Sequence, residues 1–380
     1  MKVLSIIDSA DLYGKERANL QVAHILKGKG YDVTVVINSI ANKAIREEVK
    51  DFKVKEIEFP RNIEGNHRTL RFIKAFAKTQ FAFKQLVSEL SPDYILIPTE
   101  IAMAYLYIPL ACAKSKVVFR CGDSPIVFRK KGLGSKVYGC MWKYLFVRRV
   151  DKLVCNAKFI QDQIKMSGRK ACAFDRIIYN YPPLRVNTTD SANYLPNDKS
   201  LRVGFMGRIV KEKGVYEMCE AAIISSEKNC PITLYIGGNT NVDKDYITLI
   251  QGLLKKNSRN KSRIVFLGNV NDLQKFYDNV DIVCIPSIYE EPMANVVTEA
   301  KMNHKLSVIF NQGGMPEIIS HLENGYICNK VSSAALADSF IYYSLHRDEV
   351  GRQGDKAYDS IEELGLSEGK FTQKWLEVFS

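Results

Sequence analysis

Apolar positions along the chain follow two patterns that take turns: short continuous runs, and stretches in which apolar residues recur every three or four positions. "KVLSIID" at the start is followed by a helical stretch from Glu16 to Lys29, then by "DVTVVIN", and later by "DYILIPT", "KVVFRC" and "KLVCNA". Short buried runs alternating with helical segments predict parallel strands joined by crossover helices. After "RIIYNYPPL" the segment "RVNTTDSANYLPNDKS" is polar, contains proline and has neither period, which predicts a linker over 183–200. The alternation then restarts with "LRVGFMG", "ITLYIGG", "RIVFLGN", "DIVCIPS" and "LSVIFNQ". The expected fold is α/β, two doubly wound domains facing a cleft: residues 1–182 and 201–365, with a C-terminal helix over 366–380 placed to pack back on the first domain.

Glycines gather where the strands of the second domain should end, at Gly207, Gly237, Gly238, Gly268, Gly313 and Gly314. In doubly wound sheets that end is where ligands bind. With 380 residues, 46% of them hydrophobic and 25% charged, the chain has the balance of a folded, water-soluble body. The net charge of +12 asks for anions, with nucleic acid, an anionic membrane surface and a phosphorylated substrate as candidates. Nine cysteines occur without a C-x-x-C pair, and Cys155 and Cys284 sit inside strand-like runs, as buried thiols of a reducing cytoplasm would. "MKVLSII" reaches Asp8 too soon for a signal-peptide core and reads as a first strand. "IAMAYLYIPLACA" is shorter than the roughly 20 residues of a spanning helix and contains Pro109, so a core helix is expected there.

Two segments carry the densest chemistry. "GFMGRIVKEKG" sets Gly204 and Gly207 around a strand end, then Arg208, Lys213 and Gly214. Glycine allows a phosphate close to the backbone, and two cations a few residues apart can hold a diphosphate. In "PSIYEEPMANVVTEA" a helix is expected from about Asn295, so that the amides of Met293, Ala294 and Asn295 point out of its N-terminus toward an anion. Glu299 then leans back toward that end, able to meet hydroxyls of a group attached to the phosphate, while Glu291 in the turn could reach another hydroxyl further along the ligand.

With Glu291 and Glu299 eight positions apart, "GRIVKEKG" upstream and "GGMPEII" at 313–319 downstream, the chain resembles the retaining glycosyltransferases of family 4, which have the GT-B fold of two Rossmann-like domains. The resemblance runs over nearly the whole chain: Glu291 and Glu299 match the family's E-x7-E, and the other two segments its G-x-R-x4-KG and GG-x-PE. It implies that Arg208 and Lys213, beside Gly207, bind the diphosphate of a nucleotide sugar, that Glu299 holds the ribose hydroxyls and that Glu291 contacts the donor sugar. The amides of 293–295 would meet sugar hydroxyls and phosphate, and the base would lie against "GNVNDL" near Asn269 and Val270. Gly14 would stand in the donor-side loop of the first domain. Where members often have Gly-Gly there, this chain has Tyr13 before Gly14, whose bulk is expected to reshape the donor or acceptor side. Where many have His-Asp after a first-domain strand, it has Gly122 and Asp123, so no histidine role carries over; Tyr13 and Asp123 remain acceptor-side candidates. Ala294 replaces a common glycine.

"NVDKDY" has the D-x-D spacing by which other glycosyltransferases hold manganese, but Asp243 and Asp245 suit a helix start, and no metal is assigned. Two basic segments, "FRKKGLGSKVYGCMWKYLFVRRV" and "HRTLRFIKAFAKTQFAFKQL", mix cations with aromatics and read equally well as a membrane-surface helix or as a solvated face over a core stripe. The function expected is transfer of a sugar, with retention, from a UDP-, GDP- or ADP-sugar to a hydroxyl of a saccharide or lipid-linked saccharide in surface polysaccharide or glycoconjugate synthesis. No cofactor or metal is expected, and the location expected is cytoplasmic, peripheral on the inner face of the membrane. Two alternatives stay open: a nucleotide-sugar epimerase of the same fold, and a basic nucleic-acid-binding protein, against which stands the lack of a nucleic-acid motif.

Overall fold

A computed structural model describes residues 1–60, 70–126, 132–170, 172–181 and 200–380. The expected linker over 183–200 lies almost wholly outside the described residues. The chain divides into two compact units: Met1–Tyr179 with Glu368–Ser380, and Asn180–Ser367.

Unit 1 is built on seven strands: β1 (Lys2–Ile7), β2 (Asp32–Asn38), β3 (Lys53–Ile57), β4 (Tyr94–Ile97), β5 (Lys116–Cys121), β6 (Lys152–Cys155) and β7 (Arg176–Ile177). They lie in the order β3-β2-β1-β4-β5-β6-β7, every pairing parallel. Central strands are buried along their length because helices cover both faces, which is why "YILI" and "KLVC" read as unbroken apolar runs. The order reverses between β1 and β4, and there the strand ends are tied together. The Thr99 hydroxyl donates to Asp8 Oδ2 at 2.9 Å, and Asn38 Nδ2 donates to the Asp8 carbonyl at 3.0 Å. The helix Glu368–Val378 completes this unit by burying Phe371, Trp375 and Val378, while Lys152 Nζ donates to the carbonyls of Val378 and Ser380.

Two expectations are corrected in unit 1. "IAMAYLYIPLACA" forms two short helices, Glu100–Tyr105 and Tyr107–Cys112, with the break at Leu106. Pro109 falls in the first turn of the second, where its missing amide costs little. Trp142 and Phe146, which the basic segment offered as membrane-facing aromatics, are core residues; the Trp142 indole donates to Ser167 Oγ at 2.8 Å. Arg149 is likewise committed inward, donating to the carbonyls of Leu110, Ala113 and Ser115 and to Asp151.

Unit 2 has six strands: β8 (Leu201–Met206), β9 (Ile232–Gly237), β10 (Arg263–Gly268), β11 (Ile282–Ile285), β12 (Ser307–Phe310) and β13 (Gly325–Cys328). Their order is β10-β9-β8-β11-β12-β13, again all parallel, with the reversal between β8 and β11. Its core joins Val203, Phe205, Leu234, Cys284 and Phe310 of the sheet to helix residues such as Met218, Leu336 and Phe340. All nine cysteines are free, and Cys155 and Cys284 are buried. At the amino end of the sheet Asp281 accepts from Arg202 at 2.7 Å and from Arg347 at 2.8 Å. Burial works against its charge, but the arginine contacts win and hold the carboxyl below its ordinary range.

The helix Asn295–Met302 packs on Arg347–Leu364 and carries Lys301, 1% exposed, whose Nζ donates to Ser360 Oγ at 3.0 Å. Burial lowers its pKa from 10.5 to about 8. Because the folded value lies below the unfolded one, the charge penalty is present in full below pH 8 and is released as pH rises toward 10.5. Lys301→Met should therefore raise stability at pH 7 by roughly 1–3 kcal/mol and remove a rise in stability across that pH window. Thermal melts of both proteins between pH 7 and 10 check this; parallel curves would show that Lys301 carries no such cost.

Candidate functional site

Three loops at the carboxyl ends of β8, β11 and β12 converge in unit 2. The first follows β8: Gly207, Arg208, then a single turn Lys211–Lys213 that stops at Gly214. Gly214 has φ +69°, and a Cβ there would lie 1.9 Å from the Pro286 carbonyl oxygen, so only glycine fits. The Ile288 amide donates to the Glu212 carbonyl at 2.9 Å, which fastens this turn to the loop after β11.

That second loop carries Glu291. Its carboxylate, on a residue only 8% exposed, accepts from Lys213 Nζ at 2.5 Å through Oε1 and from Ser287 Oγ at 2.6 Å through Oε2. The Lys213 ammonium also sits 5.5 Å from the centre of the Tyr289 ring. The third loop, after β12, holds the second from behind. Gly313 has φ +66° and would place a Cβ 2.2 Å from the Glu291 carbonyl oxygen. Gly314 donates its amide to that oxygen at 2.9 Å, and Gln312 Nε2 donates to the Ser287 carbonyl at 2.6 Å. The three segments singled out in the sequence are thus parts of one packed corner, with Glu291 at its middle.

Met293 and Ala294 are buried, and the helix Asn295–Met302 starts directly after them. Ala294, at the cap position, has no acceptor to offer the first amides of that helix. Glu299 lies on the helix, half-buried, and accepts from the Tyr277 hydroxyl at 2.9 Å. Burial raises its carboxyl pKa, and the Tyr277 hydrogen bond works the other way. Tyr277 belongs to the helix Leu273–Asp278, just past Asn269 and Val270, so the loop after β10 and Glu299 are mechanically linked. Arg208 differs from these residues: it is exposed, and its side chain makes no hydrogen bond or ion pair among the described residues.

Sequence reasoning missed Ser287, Tyr277 and Gln312. Ser287 stood in plain view directly after Pro286, but nothing in a sequence tells a hydroxyl that orients a carboxylate from one that faces water. Asp243 accepts from the Tyr246 amide at 3.0 Å and caps the helix Lys244–Lys256, the role its position suggested. In unit 1, Tyr13 is 64% exposed, and its amide donates to Glu16 Oε2 at 3.2 Å at the start of the helix Gly14–Gly28. Asp123 pairs with Lys15 at 3.1 Å, which brings the loop after β5 to the first turn of that helix. Asp123 and Lys15 line a cavity of about 80 Å³ together with Thr99, Glu100 and Ile126; Tyr13 is not part of its lining.

Comparison with known proteins fits this geometry. The family model described as "Glycosyl transferases group 1" matches residues 186–359, the stretch that contains Arg208, Lys213, Glu291 and Glu299. The chain is 26% identical over 166 residues to the capsular polysaccharide biosynthesis glycosyltransferase CapM of Staphylococcus aureus, covering 42% of this chain and 41% of that protein. It is 22% identical over 366 residues to an uncharacterized glycosyltransferase of Haemophilus influenzae, covering 95% of each. Its fold matches that of Anabaena Alr3699/HepE, solved in complex with UDP-glucose, with a TM-score of 0.76 at 18% identity over 100% of this chain and 99% of that one. The resemblance expected from the motifs is met at the level of group 1 glycosyltransferases with the GT-B fold, the class to which the chain is similar in sequence and architecture.

The corner predicts a sharp contrast between two glycine substitutions. Gly313→Ala should cost more than about 2 kcal/mol, since it adds a clash with backbone to an unfavourable φ. Gly252→Ala, with open space around it in the helix Lys244–Lys256, should stabilise by about 0.5–1 kcal/mol. Urea unfolding of the two variants reads the difference directly, and equal effects would mean the loop relaxes freely.

Proposed function

We propose that the chain transfers a glycosyl group, with retention at the anomeric carbon, from a nucleoside diphosphate sugar to a hydroxyl of a saccharide or lipid-linked saccharide, in the synthesis of a surface polysaccharide or glycoconjugate. The observation that carries this reading is the Lys213–Glu291 pair at the carboxyl end of the sheet, just ahead in sequence of an uncapped helix start, with Arg208, exposed and unpaired among the described residues, on the same loop as Lys213. Such an arrangement concentrates positive potential where a diphosphate leaves.

The reaction breaks the bond between the anomeric carbon and the diphosphate oxygen and forms one to the acceptor oxygen on the same face, with the acceptor proton passing to the leaving phosphate. Arg208 stabilises the charge that grows on the diphosphate, and no carboxylate among the described residues competes for it. The Lys213 ammonium has three hydrogens; one is committed to Glu291, which fixes the other two in direction. Glu291 keeps lone pairs for a sugar hydroxyl, and Ser287 stops its carboxylate from turning. Glu299 offers its remaining lone pairs to the ribose, and Gly207, Asn269, Val270 and the 293–295 amides line the rest of the donor. Gly14 belongs to the same donor-side reading, and Tyr13 and Asp123 to the acceptor. The reading is metal-independent, since two side-chain cations supply the charge and Asp243 is occupied as a helix cap.

UDP-glucose, the donor present in the HepE structure, is the first to try, with release of nucleoside diphosphate as the readout. Arg208→Ala and Lys213→Ala should each lower turnover by about a hundredfold or more; Arg208→Ala should leave thermal unfolding near that of the parent, whereas Lys213→Ala, which strands the buried Glu291, should also lower it, so its turnover is read well below its melting point. Near-parental turnover in both variants would remove the two cations from the mechanism. Product that is an epimer of the donor, formed with no acceptor present, would make the protein an epimerase instead. Saturating chelator should leave the rate unchanged; loss of activity that manganese restores would bring a metal into the reaction.

A further inference from the structure

We propose that one face of unit 1, formed by the segment 134–148 and supported by the helix Leu70–Leu90, docks on a lipid bilayer that carries anionic headgroups. The outward residues Val137, Met141, Tyr144 and Leu145 are 54%, 42%, 53% and 41% exposed. Their spacing puts them on a single stripe of the helix Leu133–Met141 and the wider turn Trp142–Phe146 that continues it. The opposite stripe, with Trp142 and Phe146, is fixed in the core, and the Phe146 ring packs against Tyr107 and Tyr138. Exposure of four large apolar side chains in a row, on a backbone this firmly anchored, is unusual for a surface that meets only water.

Charge on the same face has one sign. Between Asp123 and Asp151 the sequence contains no carboxylate. Lys136, Lys143 and Arg148 are exposed and make no ion pair among the described residues, and Lys143 and Arg148 flank the Tyr144 ring at 5.3 and 5.7 Å. Helix Leu70–Leu90 repeats the pattern with Ile73, Ala77 and Phe81 exposed at four-residue spacing beside Lys74 and Lys78, although Lys78 is paired with Glu58. The two helices are bridged by the short pair Glu100–Tyr105 and Tyr107–Cys112, where Phe72 and Phe76 contact Tyr105 and Tyr107 contacts Phe146. An amphipathic face with cations around an apolar stripe suits the boundary of an anionic bilayer, where side chains enter a few ångströms and ammonium groups meet phosphates. A second copy of this chain would instead oppose cations to cations. No helix among the described residues is long and apolar enough to cross a membrane, so docking would be at the surface.

Flotation of the full chain with vesicles of phosphatidylcholine alone or with 30%, roughly, phosphatidylglycerol tests the idea at low and high salt. The parent should rise with the anionic vesicles only, and less as salt increases. Lys143→Glu with Arg148→Glu should weaken that binding by more than about 25-fold, at about fivefold per cation lost. Met141→Glu with Leu145→Glu should weaken it by at least tenfold and leave nucleoside diphosphate release unchanged with a soluble acceptor. Tyr144→Trp should shift its emission to the blue on anionic vesicles, against the background of buried Trp142 and Trp375. The proposal is overturned if the parent stays at the bottom at every salt concentration, or if neither double variant changes flotation. A dimer that Met141→Glu with Leu145→Glu dissociates, with no vesicle binding, would assign the stripe to a second copy.

Discussion

Two backbone carbonyl oxygens, those of Pro286 and Glu291, are each approached so closely by a glycine that no side chain could stand there. Gly214 comes from the turn after β8 and Gly313 from the loop after β12, so the stretch 286–291 after β11 is gripped from both sides. Everything chemical in unit 2 rests on that grip. It brings Lys213 to within 2.5 Å of Glu291 although 78 positions separate them, and it buries Glu291 far enough that its charge has to be matched. A carboxylate in such a place is expensive to leave alone; loss of one partner of a buried pair typically costs about 3–5 kcal/mol. Lys213 and Ser287 meet that demand, and the same contacts give the carboxylate its direction.

The opposite end of the sheet is secured by other means. Asp281 is pinned there between Arg202 and Arg347, from β8 and from the helix Arg347–Leu364, in a network that faces away from the glycine-rich loops. In such sheets ligands bind at the carboxyl ends of the strands, so the ion pair there, Lys213 with Glu291, lies at the ligand-binding end, and the Asp281 network lies at the other. In unit 1, Asp8, Thr99 and Asn38 knit the carboxyl ends of three strands with neutral and charged hydrogen bonds.

Ten of the thirteen described strands were legible as apolar runs, the edge strand β10 among them, and the other three each escaped for a reason of their own. β3, β7 and β13 are edge strands. "KVKEI" alternates charge with apolar residues because one side has no neighbouring strand to pack on, β7 has two residues, and β13 begins at Gly325, which lies against β12. Pairing of Lys213 with Glu291 was not legible, since spacing along the chain predicts that each meets the ligand and says nothing about their meeting each other. The basic segment failed differently. Cations and aromatics at helical spacing define a stripe but not which side of the stripe is the core, and the wide turn at Trp142–Phe146 sends Trp142 and Phe146 inward while Met141, Tyr144 and Leu145 face out.

The surplus of positive charge takes on meaning once the paired cations are set aside. Arg46, Arg149, Arg169, Arg202 and Arg347 each hold a carboxylate of the chain itself. Lys213 is a mixed case, paired and yet at the rim of the glycine corner. Arg208 in unit 2 and Lys136, Lys143 and Arg148 in unit 1 hold none among the described residues, though each had carboxylates available elsewhere in the chain. An unpaired surface cation costs nothing in water, so a single one carries no message. What distinguishes these is company: Arg208 directly follows Gly207 at the carboxyl end of β8, and the other three surround an outward apolar stripe with no acid within reach of it in sequence. Net charge alone could not separate a small phosphorylated ligand from an extended anionic surface. The neighbours of each cation support the two readings proposed above, a compact diphosphate for Arg208 and a broad plane of phosphates for the other three.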